Sequence, residues 1–543
     1  MRQQNEHAEF QRAPDTSECR EECANSRIVV NENRKRMRIL MVEPKTPSTY
    51  WSYDYTMPLI GKKSAHTPLG ILTVAGMLPK EWEVDMADLN TGKLSEAQLQ
   101  KADAVFIGGM HIQAQSFHEL VERAKKAKKE VVGGGPYVTS SPEECQDLDH
   151  LVIGEVEEGI DVWCQEFEQG KADHITEMPR PKNLNRTNIA RYDLINPRDY
   201  FSMNVQMSRG CPHNCEFCSV TKLNGRNPRL KSPEQLVAEL ETIRSTGFRG
   251  STFIVDDNFI GNYREVQAAL PAIIDWQRQH GYPLDLFTQT SMKLAEHEDL
   301  MAQMVEAGVS GVFLGIETPS KKALEKARKH HNARMDLDEG VRKIARAGLE
   351  PMAGFIMGLD GDDAEDLDEI GRFINRNPIP SAMVGLPQAI PQTDMYARMK
   401  REGRLLSAYN GDLQGYSGDQ FEGANFQTEI DPTILREKYA QVLTDIYDPG
   451  NYFRRCLHFM RIRGQSPKYS LLRHRLTFGL NALKNSIYQQ GIIAEYRAEY
   501  WKFLSRVATE MTSKLQSAVT HAAKLHHYYT YTYQNVLPRF AET

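Results

Sequence analysis

The sequence lacks the features that mark membrane-spanning, secreted or nucleic-acid-binding proteins. It has no run of eighteen apolar residues, so no membrane-spanning helix is expected. Its first 36 residues are polar and mixed in charge, without the apolar core of a signal peptide, and we interpret them as a mobile extension. The net charge of −6 provides no general attraction for nucleic acid or for an anionic membrane.

Cysteine is also scarce, with eight residues in a chain of 543. This content is typical of the reducing cytosol rather than of a secreted scaffold. Hydrophobic residues make up 40% and charged residues 25%, as in ordinary globular proteins, and the length suggests roughly three or four domains. We therefore expect a cytoplasmic protein, and peripheral contact with a membrane surface stays open.

Three clustered cysteines are the strongest chemical signal in the chain. Cys211, Cys215 and Cys218 follow the spacing C-x3-C-x2-C, and no fourth cysteine is nearby. Three thiolates on one short loop can hold three irons of a 4Fe–4S cluster. The fourth iron is then open to a ligand that does not come from the protein, which favours a catalytic cluster over a simple electron carrier.

Other interpretations of the triplet are less suitable. Structural zinc needs four closed ligands, and His213, which could supply the fourth, lies between the first two cysteines. A disulfide would leave one of the three cysteines over. A four-cysteine ferredoxin-type site would need its fourth cysteine ligand from a distant part of the chain. The remaining cysteines do not form a second compact motif: Cys19, Cys23, Cys145, Cys164 and Cys456.

Residues 37–170 alternate apolar and amphipathic segments, which predicts a doubly wound parallel sheet. Such folds bind ligands outside the carboxyl ends of their strands. Gly133, Gly134 and Gly135 follow a predicted strand and Gly70 lies in a predicted helix, and we predict that these four glycines bind a large cofactor. No G-x-G-x-x-G dinucleotide fingerprint is present, and a simple tight turn is the alternative for the three consecutive glycines.

A predicted linker at 171–200 leads to a second alternating pattern at 201–386. Its six strand–helix units predict a partial (β/α)6 barrel that is open on one side, with the cysteine loop following the first strand. Polar residues gather at the predicted carboxyl ends of the strands, where barrels place their chemistry. Asp256 and Asp257 end one of these strands, and Glu317 ends another.

From residue 387 the alternation stops, and residues 387–543 are predicted to form a helical cap over the barrel mouth. Residues 411–423 are rich in glycine, aspartate and glutamine and predict a loop or lid. Residues 469–524 contain little glycine or proline and predict one long amphipathic helix. The expected fold class is therefore α/β, with a doubly wound domain, a partial barrel and a helical C-terminal domain.

The triplet on this scaffold resembles the radical SAM superfamily, whose signature is C-x3-C-x-aromatic-C, with Phe217 in the aromatic position. The resemblance implies that S-adenosylmethionine chelates the open iron and is cleaved to methionine and a 5′-deoxyadenosyl radical. It also implies an external electron donor such as flavodoxin or ferredoxin.

The same resemblance assigns roles to residues at strand ends. Asp256 and Asp257 occupy the position that commonly binds the methionine amine, although the usual Gly-Gly-Glu is absent. Glu317 is expected near the adenosine or methionine part, and Gly354 near adenine. For each of these residues the alternative is a strand-end acid or glycine that caps the following helix.

Residues 37–167 resemble the cobalamin-binding domain that precedes many radical SAM enzymes. The Asp-x-His-x-x-Gly signature, which places a histidine under the cobalt in other cobalamin proteins, is absent. The resemblance therefore implies a cobalamin without its own base and without that histidine. His111 follows a strand end and is a candidate to face the corrin, with an ordinary polar loop histidine as the alternative.

The domain order and the segments around Asp256 and Glu317 resemble cobalamin-dependent enzymes related to the hopanoid methylases. The resemblance implies transfer of a methyl group from methylcobalamin to an unactivated carbon, and we take a hopanoid-like polycyclic lipid as the leading substrate class. Two alternatives remain at this point. One is a radical cyclase or oxidase in pigment or natural-product synthesis, and the other is a non-enzymatic sensor of cobalamin or of the cluster.

Overall fold

A computed structural model describes residues 36–406, 423–464 and 482–541 of the protein. The predictions of a mobile N-terminal extension, of a loop or lid at 411–422 and of a helix at 469–481 lie outside the described residues. Among the described residues, no helix is both long and apolar enough to cross a membrane.

The first part of the chain, residues 36–199, contains seven strands and five α-helices. The strands are β1 (Arg38–Glu43), β2 (Ser64–His66), β3 (Glu83–Asp88), β4 (Ala104–Gly108), β5 (Glu130–Gly134), β6 (His150–Ile153) and β7 (Ile175–Glu177). The helices are α1 (Leu69–Met77), α2 (Glu96–Lys101), α3 (Ala114–Lys126), α4 (Pro136–Ser140) and α5 (Ile160–Glu168).

Six of these strands form one parallel sheet in the order β3-β1-β4-β5-β6-β7. Buried apolar side chains cover both faces: Val105 and Phe117 belong to the core on one side, and Phe106 and Trp163 to the core on the other. This confirms the doubly wound fold. The strand order reverses between β1 and β4, and ligands of such sheets bind at the carboxyl ends on either side of the reversal.

Two strands depart from the predicted boundaries of this domain. β7 lies in the segment 171–200, which the sequence suggested was a linker, but Ile175 pairs with Leu151 and extends the first sheet. β2 lies within the predicted first domain but pairs with β8 of the barrel, Ser64 opposite Tyr200. Both strands are only three residues long, too short for a periodic pattern to reveal them.

The middle part, residues 200–385, contains eight strands and eight α-helices. The strands are β8 (Tyr200–Val205), β9 (Ser208–Arg209), β10 (Arg229–Leu230), β11 (Gly250–Ile254), β12 (Leu284–Thr290), β13 (Val309–Glu317), β14 (Glu350–Ile356) and β15 (Ser381–Gly385). The helices are α6 (Val220–Leu223), α7 (Pro233–Ser245), α8 (Tyr263–Gln279), α9 (Glu298–Glu306), α10 (Lys321–Lys326), α11 (His330–Ala333), α12 (Leu337–Ala347) and α13 (Ala364–Arg376).

The barrel sheet is parallel, in the order β15-β14-β13-β12-β11-β8-β2. The six predicted strands are present, and β2 adds a seventh at the edge. Residues on one face of the strands are fully buried, for example Leu286, Leu314 and Ala353, because the helices pack there. Residues on the other face, which include Phe287 and Phe313, are half-buried. The partial barrel is therefore confirmed, with an inner face that stays accessible.

The last part of the chain is helical. Its α-helices are α14 (Asp394–Arg401), α15 (Pro432–Ile446), α16 (Pro449–Ile462), α17 (Arg497–Glu510), α18 (Leu515–Tyr531) and α19 (Leu537–Ala541), with π-helical segments at Ile487–Ile493 and Thr532–Val536. The prediction of one continuous helix to residue 524 is wrong for its described part. Regular helix stops at Ile493 and again at Met511, before α18 begins.

Helices α15 and α18 lie beside and below the barrel, whereas α14 contacts the cysteine loop through Arg398, and a cap over the barrel mouth stays a prediction. The hydroxyl groups of Tyr439 and Tyr447 donate hydrogen bonds to the carbonyls of Val384 and Ala382 on the edge strand β15, at 2.9 and 2.5 Å. Lys524 of α18 pairs with Glu350, the first residue of β14, at 2.7 Å. The C-terminal helices thus cover the free edge and the floor of the sheet.

Buried ion pairs join the first domain to the barrel. Arg209 contacts Glu155 at 3.0 Å and Glu157 at 2.6 Å, and Arg229 contacts Glu155 at 2.7 Å. The hydroxyl of Tyr200 donates to Asp88 at 2.7 Å. Because breaking one partner of such a pair leaves a buried charge unpaired, these contacts fix how the two sheets face each other.

We predict that Lys524→Met lowers the free energy of unfolding by about 2–4 kcal/mol, because it leaves Glu350 charged and largely buried. Burial alone would raise the pKa of Glu350, but the charge and hydrogen bond of Lys524, together with His521 and Arg463, outweigh it and hold the pKa at about 2. The stabilisation should therefore be complete above the ordinary carboxyl pKa and be lost as the pH falls towards about 2. Chemical denaturation measures the loss.

The double variant Lys524→Met/Glu350→Gln is the matched control. It removes both charges, so most of the lost stability should return. A double variant as unstable as the single one would contradict this account of the barrel floor.

Candidate functional site

The cysteine loop leaves the barrel through a short hairpin that two acids hold in place. Asp256 accepts hydrogen bonds from the backbone amide of Met207 at 2.8 Å and from the hydroxyl of Ser208 at 2.6 Å. Asp257 accepts from the backbone amide of Gly210 at 2.8 Å. Burial raises the pKa of Asp256 to about 6. The structure thus places both acids directly beneath the loop, and their contact with a methionine amine stays a prediction.

Gly210 allows the loop to turn immediately before the first cysteine. Its φ of +102° lies in the left-handed region, and a Cβ there would lie 3.0 Å from the carbonyl oxygens of Gly225 and Asn227. Any other residue would be strained at this position. The turn directs Cys211, Cys215 and Cys218 to the carboxyl ends of the barrel strands.

The three thiols form a donor set suited to a 4Fe–4S cluster. All three are free and half-buried. Burial raises the pKa of Cys215 to about 11 and that of Cys218 to about 12, and the positive charge of Lys329 opposes both shifts. Asn258 directs its side-chain amide at Cys211 Sγ, 3.8 Å away. Metal binding would deprotonate these thiols, and a nearby cation favours their thiolate form.

Lys329 and Glu317 form a buried ion pair beside the thiols. Lys329 Nζ lies 2.6 Å from Glu317 Oε1, and both side chains are about nine-tenths buried. Burial would lower the pKa of Lys329, but the negative charges of Glu317 and Cys215 raise it above its ordinary value. The sequence predicted Glu317 as a site residue and missed Lys329, for which no local spacing gave a signal.

The backbone is adapted to this ion pair. Glu317 has φ of +68°, unusual for a residue with a side chain, and the pairing of β13 with β14 shifts register between Gly315 and Glu317. A Cβ on Gly315 would lie 2.7 Å from Glu317 Oε1 and 3.0 Å from Lys329 Nζ. The absence of a side chain at Gly315 therefore leaves room for the ion pair between Glu317 and Lys329.

Phe217 and its neighbour Glu216 anchor the far side of the loop. Phe217 packs between two apolar clusters, and Lys329 Nζ lies 5.9 Å from the centre of its ring. Glu216 is buried and accepts two hydrogen bonds from Arg398 of α14, which also contacts Asp360 at 2.6 Å. This network, which sequence reasoning missed, ties the loop to the C-terminal region.

The inner face of the barrel carries a row of aromatic rings. Phe253 and Phe287 stack in parallel with centroids 4.5 Å apart, and His66 of β2 lies 5.5 Å from Phe253. Burial lowers the pKa of His66 to about 4, so this histidine is neutral near pH 7. Trp51 meets Phe313 edge-on at 4.6 Å. The rings form an aromatic part of the accessible inner face, which also carries Asp285 and Gln289 of β12.

Gly354 lies on the same inner face. A Cβ there would lie only 2.9 Å from Phe313 Cζ. The ring of Phe313 therefore already occupies the space that a side chain at this position would need. The predicted contact of Gly354 with adenine stays a prediction.

The predicted glycines of the first domain fall into two groups. A Cβ on Gly133 would clash with Leu148, and Gly135, with φ of +89°, lies within 3.2 Å of Gly109 at its Cβ position. Gly134 has ordinary contacts, and Gly70 is exposed with nothing within 4 Å. Close packing of β5 against Leu148 thus accounts for Gly133 and the turn interpretation accounts for Gly135, whereas Gly70 and Gly134 leave space for a ligand.

His111 is held by the protein. Its Nε2 lies 2.6 Å from the hydroxyl of Ser140, and its ring meets Tyr137 edge-on at 5.3 Å. Burial lowers the pKa of His111 to about 4. Next to it, Met110 is 50% exposed at the end of β4, on the edge where the strand order reverses. An apolar surface with an open glycine fits the approach of a large planar cofactor such as a corrin.

Three protein families match successive parts of this chain. The B12 binding domain matches residues 62–162, the Radical SAM superfamily matches residues 205–374, and a domain of unknown function, DUF4070, matches residues 393–537. The order agrees with the two sheets and the helical region described above.

Two relatives match nearly the whole length of the chain. An uncharacterized methyltransferase of Synechocystis is 37% identical over 91% of this chain and 92% of its own length. The hopanoid C-2 methylase of Rhodopseudomonas palustris is 32% identical over 86% of this chain and 89% of its own length.

The fold also matches a solved structure. The cobalamin-dependent S-adenosylmethionine radical enzyme OxsB, with aqua-cobalamin and S-adenosylmethionine bound, has a TM-score of 0.59 at 14% identity. The match covers 94% of this chain and 81% of OxsB. At this identity the likeness concerns the fold.

We predict that Lys329→Met lowers the midpoint potential of the reconstituted cluster by roughly 50–100 mV, which is about 1–2 kcal/mol for one electron. The cation beside the thiolates stabilises the reduced, more negative cluster, so its removal makes reduction harder. A redox titration followed by electron paramagnetic resonance measures the potential.

Lys326→Met is the control, because this exposed lysine lies on α10 and pairs with Glu429 at 2.9 Å, away from the thiols. Its potential should match that of the unaltered protein. Equal potentials in both variants would show that Lys329 does not act on the cluster through its charge.

Proposed function

The chain belongs to the cobalamin-dependent radical SAM methyltransferases, and from this premise we propose that it methylates an unactivated carbon of a polycyclic lipid of the hopanoid class. The main structural support for this substrate class is the aromatic inner face of the barrel, formed by Phe253, Phe287, Phe313 and Trp51. The methylase relative named above, at 32% identity, supports the same class.

A 4Fe–4S cluster with S-adenosylmethionine supplies a 5′-deoxyadenosyl radical, and cobalamin supplies the methyl group. Cys211, Cys215 and Cys218 would hold the cluster. Glu317, Lys329 and the acids at 256 and 257 keep the loop and its charges fixed, so that little reorganisation is needed at reaction. Gly70, Gly134 and Met110 offer cobalamin an apolar edge.

The inner face suits a fused-ring hydrocarbon for physical reasons. Burying apolar area against aromatic rings is favourable at about 25 cal/mol per Å², and it also excludes water from the radical. Phe253, Phe287 and Phe313 supply apolar contact area, and the neutral His66 is engaged by the hydroxyl of Ser202 at 2.9 Å. Asp285 and Gln289 lie on the same half-buried side of β12 as Phe287. The shape of the face and these two polar side chains would then orient the target carbon.

The proposed activity predicts that label from methyl-labelled S-adenosylmethionine enters a hopanoid. The reaction would contain the reconstituted protein, cobalamin, a low-potential reductant and a pentacyclic hopanoid, and mass spectrometry would follow both 5′-deoxyadenosine and methylated lipid. Cys218→Ala should abolish both products, because two thiolates do not hold the cluster.

Each alternative outcome has a distinct meaning. 5′-Deoxyadenosine without labelled lipid would favour a radical cyclase or oxidase, or another methyl acceptor. Absence of 5′-deoxyadenosine from protein with an intact cluster would contradict the radical assignment. Loss of a methylated polycyclic lipid from cells that lack the gene would connect the reaction to its substrate in vivo.

We predict that Phe287→Ala uncouples the reaction. Loss of one ring from the lipid contact should lower methylated product per 5′-deoxyadenosine by about tenfold or more, since a buried phenylalanine contributes about 1.5–3 kcal/mol. The KM for S-adenosylmethionine should not change. The control is Trp501→Ala, which removes an exposed ring on α17. An unchanged ratio for Phe287→Ala would exclude this face from lipid binding.

A further inference from the structure

An exposed apolar surface lies in the C-terminal region, on the π-helical segment Ile487–Ile493. Residues four and five apart lie on the same side of a π-helix, so Tyr488 shares a side with Ile492 and Ile493. Tyr488 is 55% exposed, and Ile492 and Ile493 are each 57% exposed. Clustered apolar side chains that face solvent commonly mark a contact with another molecule. None of the functions assigned above uses this surface.

The other side of the segment fixes it to the protein. The hydroxyl of Ser486 lies 3.0 Å from that of Tyr500 on α17, and Gln490 donates a hydrogen bond to Ser486 at 2.9 Å. Asn485 donates to the backbone carbonyl of Leu59 at 2.8 Å. Ser486 and Gln490 are fully buried. The segment is therefore held through its polar side, which leaves its apolar side to the solvent.

The charge around this surface differs from that of the whole protein. Residues 464–494 contain no aspartate or glutamate, although the chain has 72 of these residues and a net charge of −6. The same stretch contains four basic residues: Lys468, Arg473, Arg475 and Lys484. Lys484 before the π-helical segment and Arg497 after it are exposed, and Glu495 is the first acid that follows. This local excess of positive charge favours an anionic partner.

The composition of the surface suits a membrane better than a protein partner. A stable protein–protein interface buries roughly 800 Å² on each partner, more than three side chains supply. A bilayer instead takes up individual side chains. Aliphatic groups enter its acyl region, tyrosine prefers the boundary with the headgroups, and lysine and arginine contact the lipid phosphates. All three kinds of group are present on and beside this segment.

We propose that this surface attaches the protein to the face of an anionic phospholipid bilayer. Ile492 and Ile493 enter the outer acyl region, and Tyr488 lies at the level of the headgroups. Lys484 and Arg497 contact the lipid phosphates. The attachment is peripheral and reversible, since it uses a few side chains and their charges. The proposal goes beyond methyl transfer and does not depend on a hopanoid substrate.

The test measures flotation of the reconstituted, full-length protein with vesicles that contain no hopanoid. Vesicles of phosphatidylcholine and phosphatidylglycerol in equal amounts should carry the protein, and vesicles of phosphatidylcholine alone should carry less of it. Ile492→Asp/Ile493→Asp should lower the partition coefficient by about tenfold or more, because two apolar side chains no longer enter the bilayer. Lys484→Glu/Arg497→Glu should weaken binding to the anionic vesicles and reduce its salt dependence.

The matched control is Val162→Asp/Ile434→Asp, which places the same two charges on exposed apolar residues of α5 and α15. This variant should bind the vesicles as the unaltered protein does. Equal iron content after reconstitution would show that all variants fold. Equal loss of binding in the control and in Ile492→Asp/Ile493→Asp would overturn the proposal, and so would an unaltered protein that does not bind anionic vesicles.

A second copy of the chain is the other possible occupant of this surface. A dimer in sedimentation velocity that Ile492→Asp/Ile493→Asp dissociates, without any binding to vesicles, would overturn the membrane proposal in favour of that copy. Lipid methylation is not read out in any of these measurements. Failure of the proposed hopanoid substrate therefore leaves the test of the surface intact.

Discussion

The cysteine loop is held from three directions by buried charges, and the arrangement of the whole molecule follows from this constraint. Asp256 and Asp257 bind its backbone from the barrel, Arg209 at its entry pairs with two glutamates of the first domain, and Glu216 within it pairs with Arg398 of α14. Removing one partner of such a pair would leave the charge of the other partner buried, unpaired and poorly solvated. The three domains therefore meet at the site where all of them are needed.

Charge and apolar surface are separated around that loop. Lys329 lies close enough to the thiols to oppose the burial that raises their pKa values, and Glu317 keeps the cation in place. The inner face of the barrel carries stacked aromatic rings, and a cleft lined mostly by cationic and imidazole side chains borders the loop. A radical needs a dry environment, whereas a cluster needs electrons from outside. The loop stands at the boundary between the two.

Local patterns predicted the parts of the molecule that depend on neighbouring residues. Most strands of both sheets, the doubly wound domain, the partial barrel and the spacing of the three cysteines were visible in the sequence, whereas the three-residue strands β2 and β7 were not. Lys329, Trp51 and Arg398 were not, because each reaches the site from a distant segment and carries no periodic signal. The long helix failed at Ile493 and Met511, since amphipathic spacing does not show where a helix turns back.

The edges of the barrel explain why its neighbours are integral to it. An open parallel sheet leaves unpaired backbone groups on both outer strands. At one edge β2, from within the first domain, pairs with β8, and at the other edge the hydroxyls of Tyr439 and Tyr447 occupy carbonyls of β15. The first domain and the C-terminal helices thus supply hydrogen-bond partners to the original edge strands β8 and β15. It follows that both outer strands of the barrel take hydrogen-bond partners from the parts of the chain that flank it, which ties the first domain and the C-terminal helices to the sheet that carries the cysteine loop.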